Sequence, residues 1–398
     1  MVARAVAMRP MLLDLQDDAA ARGTYSPETH EMFRSAGFYR LLQPRMFGGY
    51  EFDLTTFFRV MVEISRGDPG TGWCLCLAAG HVLPMASHWP AEVQVAMFSP
   101  DGEFAAPHSA GRACTAVPTT GGYLVNGVWP YSSGIPYSTH FMGTAHVPAT
   151  DTAPERDVVL VVPRDVCDVA DDWGDRQTLG LHASGSNTVR ITEKVVPADQ
   201  VVDFDWMTVK SAGTGTPGTE LHGNPMYLGL MGALAGGEIA SVMVGAAWAA
   251  LDEFDHIART KKTHYPPYGL RSEDARTHEA WGAAVSMADT AEATLLAVGD
   301  RYKEQCQHWA TTGIAPIPED TMRLSNSLQT VIRLSWEAVE LLFRSAGTSV
   351  TRTGERLQRY YRDVSMQRTQ WTYTSNLFEV GVGREHFGIA APTPGDDA

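Results

Sequence analysis

The chain has 398 residues, 31 basic against 46 acidic side chains, a formal net charge of −15 and 44% hydrophobic residues. That balance excludes a nucleic-acid binder or a polybasic membrane anchor, and only 19% charged residues exclude a disordered, solvating chain. The length supports an extended core, in one large unit or two to three domains.

The first segment reads as helical. Met1 to Leu15 has no continuous apolar run of the signal-peptide kind, and Asp14, Asp17 and Asp18 follow it. Ser26-Pro27-Glu28 is a helix start, with the hydroxyl as cap and proline in the first turn, and Gly37 can end that helix. Leu54, Phe57, Phe58, Met61 and Val62 recur at helical spacing, so one face of that helix is expected to be buried. From about residue 105 the pattern becomes strand-like. Tyr123-Leu-Val125, Asn126-Gly127 and Val128-Trp129 read as a hairpin whose turn pair tolerates positive φ. Asp157 to Pro163 is a short apolar run, and Val189 and Ile191 alternate with Arg190 and Thr192.

After about residue 225 the helical period returns. The apolar stretch Leu228 to Leu251 is interrupted by Glu238, and its Gly and Ala suit a closely packed buried helix better than a membrane span. Leu324, Leu328, Val331, Ile332, Val339 and Leu342 form one helical face, with Asp320 as the expected cap and Gly347 as the stop. The five cysteines (Cys74, Cys76, Cys114, Cys167, Cys306) lack zinc or redox spacing and read as reduced thiols of a soluble cytoplasmic protein. The order predicts an α+β fold in three parts: an N-terminal helical domain at 1–104, a central β-barrel-like domain at 105–205, and a C-terminal helical bundle and tail at 206–398.

Motif chemistry excludes more than it selects. There is no Walker loop, no HExxH and no GxSxG, and His81 and His88 have no third metal ligand nearby. Three constellations remain. Trp73 and His81 lie a little over two helical turns apart, so they share a face; together they offer a flat wall and a polar contact, or else ordinary core packing. Trp129-Pro-Tyr131-Ser132-Ser133-Gly134 puts an indole, a phenol and two hydroxyls before a glycine, either a ring-binding edge or a plain turn. Gly180-Leu-His182-Ala-Ser184-Gly185-Ser186-Asn187-Thr188 offers small polar groups to a ligand edge, or is a polar loop between strands.

These constellations together resemble the acyl-CoA dehydrogenase superfamily, and within it the oxygenases of two-component flavin-dependent monooxygenases. The resemblance runs through Leu42-Gln-Pro-Arg-Met-Phe-Gly-Gly49, Thr71-Gly72-Trp73, Gly122-Tyr-Leu-Val-Asn-Gly127, Ser132-Ser133-Gly134, Gly185-Ser186-Asn187-Thr188 and Gln358-Arg-Tyr-Tyr-Arg362-Asp363. It implies a helical domain, a central β-domain and a C-terminal four-helix bundle assembled as a homotetramer. It also implies reduced FMN or FAD, with FMN favoured, which is delivered by a separate NAD(P)H:flavin reductase. That flavin reacts with O2 to a C4a-hydroperoxide that oxygenates a small molecule. By the same resemblance Ser133, with Ser132, stands at the reactive edge of the flavin. Trp73, Trp129, Ser184 and Ser186 line the flavin, and Arg259, Lys261 or Lys262 meets its phosphate. His81, His108 and Ser109 face the flavin or the substrate. No metal, nucleic acid or membrane is expected.

One departure shapes the substrate expectation. Many aromatic hydroxylases of this group carry a histidine base seven residues after the Asp of the Arg-Asp pair, where this chain has Gln370. An amide orients a substrate by hydrogen bonding but takes no proton. Either the substrate needs no deprotonation or His81 or His108 takes that task. The expected substrate is a bulky ring-containing compound: an aromatic, an indole or a polycyclic natural-product intermediate. The alternatives are N-hydroxylation of an amine or aminosugar, an FAD-dependent acyl-CoA dehydrogenase with Glu379 as base, and a non-enzymatic ligand-binding member. Against the dehydrogenase, Glu379 lacks the usual Tyr-Glu-Gly-Thr context, and Ser345-Ala-Gly347-Thr-Ser349 replaces the glycine-rich pyrophosphate segment.

Overall fold

The computed structural model describes residues 1–98, 102–110, 114–151, 153–174, 177–203, 215–266, 268–370 and 376–389. The helices α1 (Val2–Asp14), α2 (Gln16–Arg22), α3 (Pro27–Ala36), α4 (Leu54–Gly67), α5 (Pro69–Gly80), α6 (Val82–His88) and α7 (Ala91–Phe98) come first. Ser26 caps α3 by accepting from the Thr29 N–H at 3.2 Å, and Gly37 ends it with φ +81°. Asp53 caps α4 through Thr56 N–H at 3.0 Å, a contact of the kind that contributes about 1 kcal/mol. Asp68 closes α4 and caps α5, accepting from Thr71 N–H at 3.0 Å, so the two helices join without a loop.

The strands follow: β1 (His108–Ser109), β2 (Thr115–Thr119), β3 (Gly122–Trp129), β4 (His140–Val147), β5 (Arg156–Pro163), β6 (Asp168–Val169), β7 (Val189–Pro197) and β8 (Val201–Val202). They form one mixed sheet in the order β6-β7-β3-β2-β4-β5-β8, with β1 parallel to β4. Alternation assigns the faces. Val158, Leu160 and Val162 point into a core within the sheet with Trp129, Phe141 and Val189, while Val159, Val161 and Met142 join the helical core. A strand buried on both faces reads as the unbroken apolar run seen in the sequence.

Asn126-Gly127 is not a turn. It lies inside β3, and the β2–β3 reversal falls at Thr120-Gly121, with Thr119 opposite Gly122. The pairing of β3 with β7 shifts register between Val125 and Gly127, and Asn126 Oδ1 accepts from Glu193 N–H at 2.8 Å. Gly127 is required there by crowding: a Cβ would lie 2.6 Å from both Cys114 Sγ and the Trp129 ring.

The helices α8 (Pro217–His222), α9 (Gly232–Thr260), α10 (Ala275–Thr312), α11 (Pro318–Ser345), α12 (Arg356–Gln367) and α13 (Leu377–Phe387) complete the fold. The α9 helix is long and apolar enough to cross a membrane, but it packs against α4, α5, α10, α11 and α12 as the central rod. Its small residues permit that approach. A Cβ on Gly245 would meet the Val62 carbonyl oxygen at 2.6 Å. The expected cap Asp320 lies instead inside the first turn of α11, which starts at Pro318 after extended Ile317, where its charge favours the helix N-terminus. All five cysteines are free thiols, and burial pushes Cys74 up to about 12.

Candidate active site

Three segments converge at the seam between α5 and the sheet. Trp73, at the start of the second turn of α5, is buried and donates its indole N–H to Ser133 Oγ at 2.9 Å. Ser133 Oγ shares a hydrogen bond with Ser186 Oγ at 2.7 Å, and Ser186 with Ser184 Oγ at 2.6 Å. All three serines are buried. The cluster is therefore a neutral chain of hydroxyls ended by an indole donor.

The backbone that presents it is irregular, as ligand-facing backbone often is. Tyr131 has φ +58° with its ring edge-on to Trp173, and Gly134 has φ +91°. Gly134 N–H donates to the Ser184 and Gly185 carbonyls, both at 3.1 Å, which ties the Ser133 loop to the Ser184–Ser186 loop. The second loop is held from behind by α12. Asp363 Oδ1 accepts from Leu181 N–H at 2.6 Å, and Arg362 Nη1 donates to the Leu179 carbonyl at 3.2 Å. Burial pushes the Asp363 carboxyl up to about 7 against the pull of Leu181 N–H, with Asp68 adding to the rise.

At the far end of α5, His81 is buried with Nδ1 2.8 Å from the Ala106 carbonyl and Nε2 3.4 Å from Glu238 Oε2 on α9. Burial pulls His81 down, but Glu238 and the Ala106 carbonyl together more than offset it, so its pKa stands above the ordinary 6.5. Burial pushes Glu238 up, against the pull of His81. The His108 ring is edge-on to His81 at 6.0 Å, its Nε2 2.9 Å from Thr144 Oγ1, and burial together with His81 lowers it. Ser109 Oγ donates to the Pro130 carbonyl at 2.8 Å, which links β1 to the Ser133 loop.

The structure thus brings Trp73, Ser133, Ser184 and Ser186 together, and His81, His108 and Ser109 into the adjoining wall. Other expected positions fall elsewhere. Trp129 packs within the sheet against Phe141 and donates to the Thr144 carbonyl, because strand alternation turns it away from the helices. Ser132 Oγ is engaged with the Trp129 carbonyl at 3.1 Å. Arg259 is exposed and paired with Asp255, Lys261 pairs with Glu355, and Lys262 bridges Leu270 through its backbone. Among the described residues none of these three touches the serine cluster. Gln370 is half-buried in the turn after α12, its backbone N–H 3.0 Å from the Gln367 carbonyl. Sequence reading gave Glu238 no role, although a single acid in a Gly/Ala-rich run was its visible signal.

The acyl-CoA dehydrogenase C-terminal domain family matches residues 238–372. The oxygenase subunit HsaA of a flavin-dependent monooxygenase from Rhodococcus jostii (strain RHA1) is 26% identical over 96% of this chain and 97% of that protein. XiaF from Streptomyces sp., solved with FADH2 and glycerol, superposes with a TM-score of 0.85 at 23% identity, over 99% of this chain and 96% of that one. TdsC from Paenibacillus sp. A11-2, solved with FMN and indole, gives a TM-score of 0.76 at 19% identity, over 99% and 98%. A helical front, one mixed sheet and a bundle around α9 give the chain an acyl-CoA dehydrogenase-like fold. Relatives matched over nearly the whole chain are oxygenase subunits of flavin-dependent monooxygenases.

Proposed function

We propose that this chain is a reduced-flavin-dependent monooxygenase that inserts one oxygen atom from O2 into a ring-containing small molecule. The single observation that carries the reading is the buried hydroxyl chain Ser133–Ser186–Ser184 ended by the Trp73 indole. Its donors are uncharged and directional, which suits the neutral polar edge of an isoalloxazine ring, and the cluster contains no charged side chain. Relatives solved with FADH2 or FMN support the same cofactor class. Bound reduced flavin supplies the two electrons that divide O2 between product and water.

The residues of the chain orient and enclose. Ser133 would hold the polar edge of the bound ring, with Trp73 as a wall that fixes the Ser133 hydroxyl and with Ser184 and Ser186 completing the donor row. His81, His108 and Ser109 line the substrate side, with Gln370 as an orienting amide. Buried Cys74 lies against the Gly134 and Gly185 backbone at this seam, which helps to keep water from the reacting centre. Reduced flavin comes from a separate NAD(P)H:flavin reductase, a reading supported by relatives that are oxygenase subunits or components. A homotetramer in the cytoplasm fits the covered, Gly/Ala-rich centre and free thiols; in that assembly Arg259, Lys261 or Lys262 would meet a flavin phosphate.

The dehydrogenase alternative loses support from α13. Glu379 is exposed there, whereas an α-proton base must be enclosed with its substrate. Gln370 favours substrates that react without losing a proton first, such as indoles, polycyclic rings or amines. The test is anaerobic binding of reduced FMN and FADH2, followed by mixing with oxygenated buffer and a panel of these compounds. Hydroxylated product accompanied by less H2O2 than in the compound-free control supports the reading. Stoichiometric H2O2 with every compound contradicts it.

A further inference from the structure

The His81–Glu238 contact has a proton count that its hydrogen bonds fix. His81 Nδ1 lies 2.8 Å from the Ala106 carbonyl, which only accepts, so Nδ1 carries a hydrogen. Nε2 then faces Glu238 Oε2 at 3.4 Å. Without a proton between them, an imidazole lone pair would oppose a carboxylate at a site where both side chains are about 97% buried. A buried like-polarity contact of that kind is strongly unfavourable, whereas one shared proton makes the pair neutral as a unit. Glu238 Oε1 has no hydrogen-bond partner among the described residues and lies against Gly80 of α5. The carboxylate is therefore not drawn away by another donor.

We infer that His81 and Glu238 are a one-proton dyad that acts as the proton donor on the substrate side of the site, with Glu238 the positioning residue that keeps His81 loaded. The inference rests on the oxygenase reading for its task and on the geometry alone for its proton. It revises one expectation: a loaded dyad cannot replace the missing base at Gln370, because it gives a proton rather than takes one. The net reaction has a place for that proton. Anionic reduced flavin, O2, a substrate C–H and one H⁺ become oxidised flavin, a substrate C–OH and water. The dyad supplies the H⁺ and is refilled from solvent between turnovers.

The groups that face the dyad keep the assignment unambiguous. From β1, His108 is held neutral by burial and by His81. From α5, the Cys76 thiol is pushed well up by burial and by Glu238. Both stay uncharged near neutrality, so the mobile proton belongs to His81 and Glu238. The net directions agree, since His81 and Glu238 both bind their proton more tightly than they would in water.

The test begins on the flavin-free chain. Nitrogen NMR of labelled histidines, with His81 assigned by its loss in His81→Asn, reads the imidazole; the infrared carboxyl band, assigned by its loss in Glu238→Gln, reads the acid. At pH 6.5 the wild type should show either a doubly protonated His81 ring or a protonated Glu238. A neutral ring beside an ionised carboxylate overturns the inference. In Glu238→Gln, His81 should titrate below 6.5, because burial then acts without the carboxylate that opposes it. A midpoint unchanged from wild type refutes the positioning role. If that variant fails to fold, the two wild-type spectra still decide. With reduced flavin and substrate, Glu238→Gln should release more H2O2 per product than wild type, and the excess should grow as pH rises from 6 to 8. Equal coupling in both proteins across that range removes the dyad from proton supply. A loaded dyad in a wild type that hydroxylates nothing would mean that the oxygenase reading, and the donor's task with it, has failed while the proton assignment stands.

Discussion

Asp363→Asn should remove a pH-dependent penalty that the wild type carries at the back of the serine loops. Asp363 is buried, and burial raises its carboxyl from 3.8 to about 7 in the fold, despite the Leu181 N–H on Oδ1. A raised folded pKa means that the native state holds the proton more tightly than the unfolded chain. The resulting stabilisation is complete below about pH 4 and is lost as pH rises through about 7. The shift corresponds to about 4 kcal/mol in total, of which about 2.5 kcal/mol falls between pH 5 and pH 7.5. Asparagine keeps an oxygen for the Leu181 N–H but does not titrate. In equilibrium urea unfolding, the stability of the variant relative to wild type should therefore rise by about 2–3 kcal/mol from pH 5 to pH 7.5. Other titrating groups cancel in that difference. A relative stability that stays constant across this range would show that Asp363 is ionised freely in the fold, and the reasoning about its burial would be wrong.

Ser133→Ala leaves the Trp73 indole N–H and the Ser186 hydroxyl without a shared partner, at a cost of about 1–3 kcal/mol in urea unfolding, and should raise H2O2 release relative to product. Unchanged coupling would remove Ser133 from oxygenation. Trp73→Phe keeps the flat wall but deletes the donor, so reduced-flavin affinity should fall by less than in Trp73→Ala, as titrated anaerobically; equal losses would mean that the wall does not matter. Gln370→His should admit a phenolic substrate, with a gain of about 10²-fold or more above the histidine midpoint. No gain at any pH would mean that the phenol proton is handled elsewhere.

Local signals in the sequence were enough for much of the fold. The Ser26 cap, the Gly37 stop and the apolar face of α4 are set by a few adjacent residues, and each is found where the pattern puts it. The Gly/Ala run of α9 announced close packing for the same reason. Asn126-Gly127 misled because glycine answers two different demands, positive φ and absence of a Cβ, and here the second one rules. The site was legible only in part. Trp73 and His81 share a helix, so spacing alone relates them. The contacts that give them chemistry, Ser133 to Ser186 and His81 to Glu238, join segments far apart along the chain, and no local pattern encodes them. The Arg362-Asp363 pair was visible as a motif, but its function as a clamp on residues 179–181 follows only from the packing of α12 against that loop.

The most direct test of the oxygenase assignment is turnover with reduced FMN or FADH2 under ¹⁸O2, using indoles and polycyclic rings as substrates and mass spectrometry of the product. One labelled oxygen atom per product molecule, with the second recovered in water, is the expected result. Unlabelled compounds and labelled H2O2 alone, together with an FAD that stays bound and bleaches with an acyl-CoA, would contradict it.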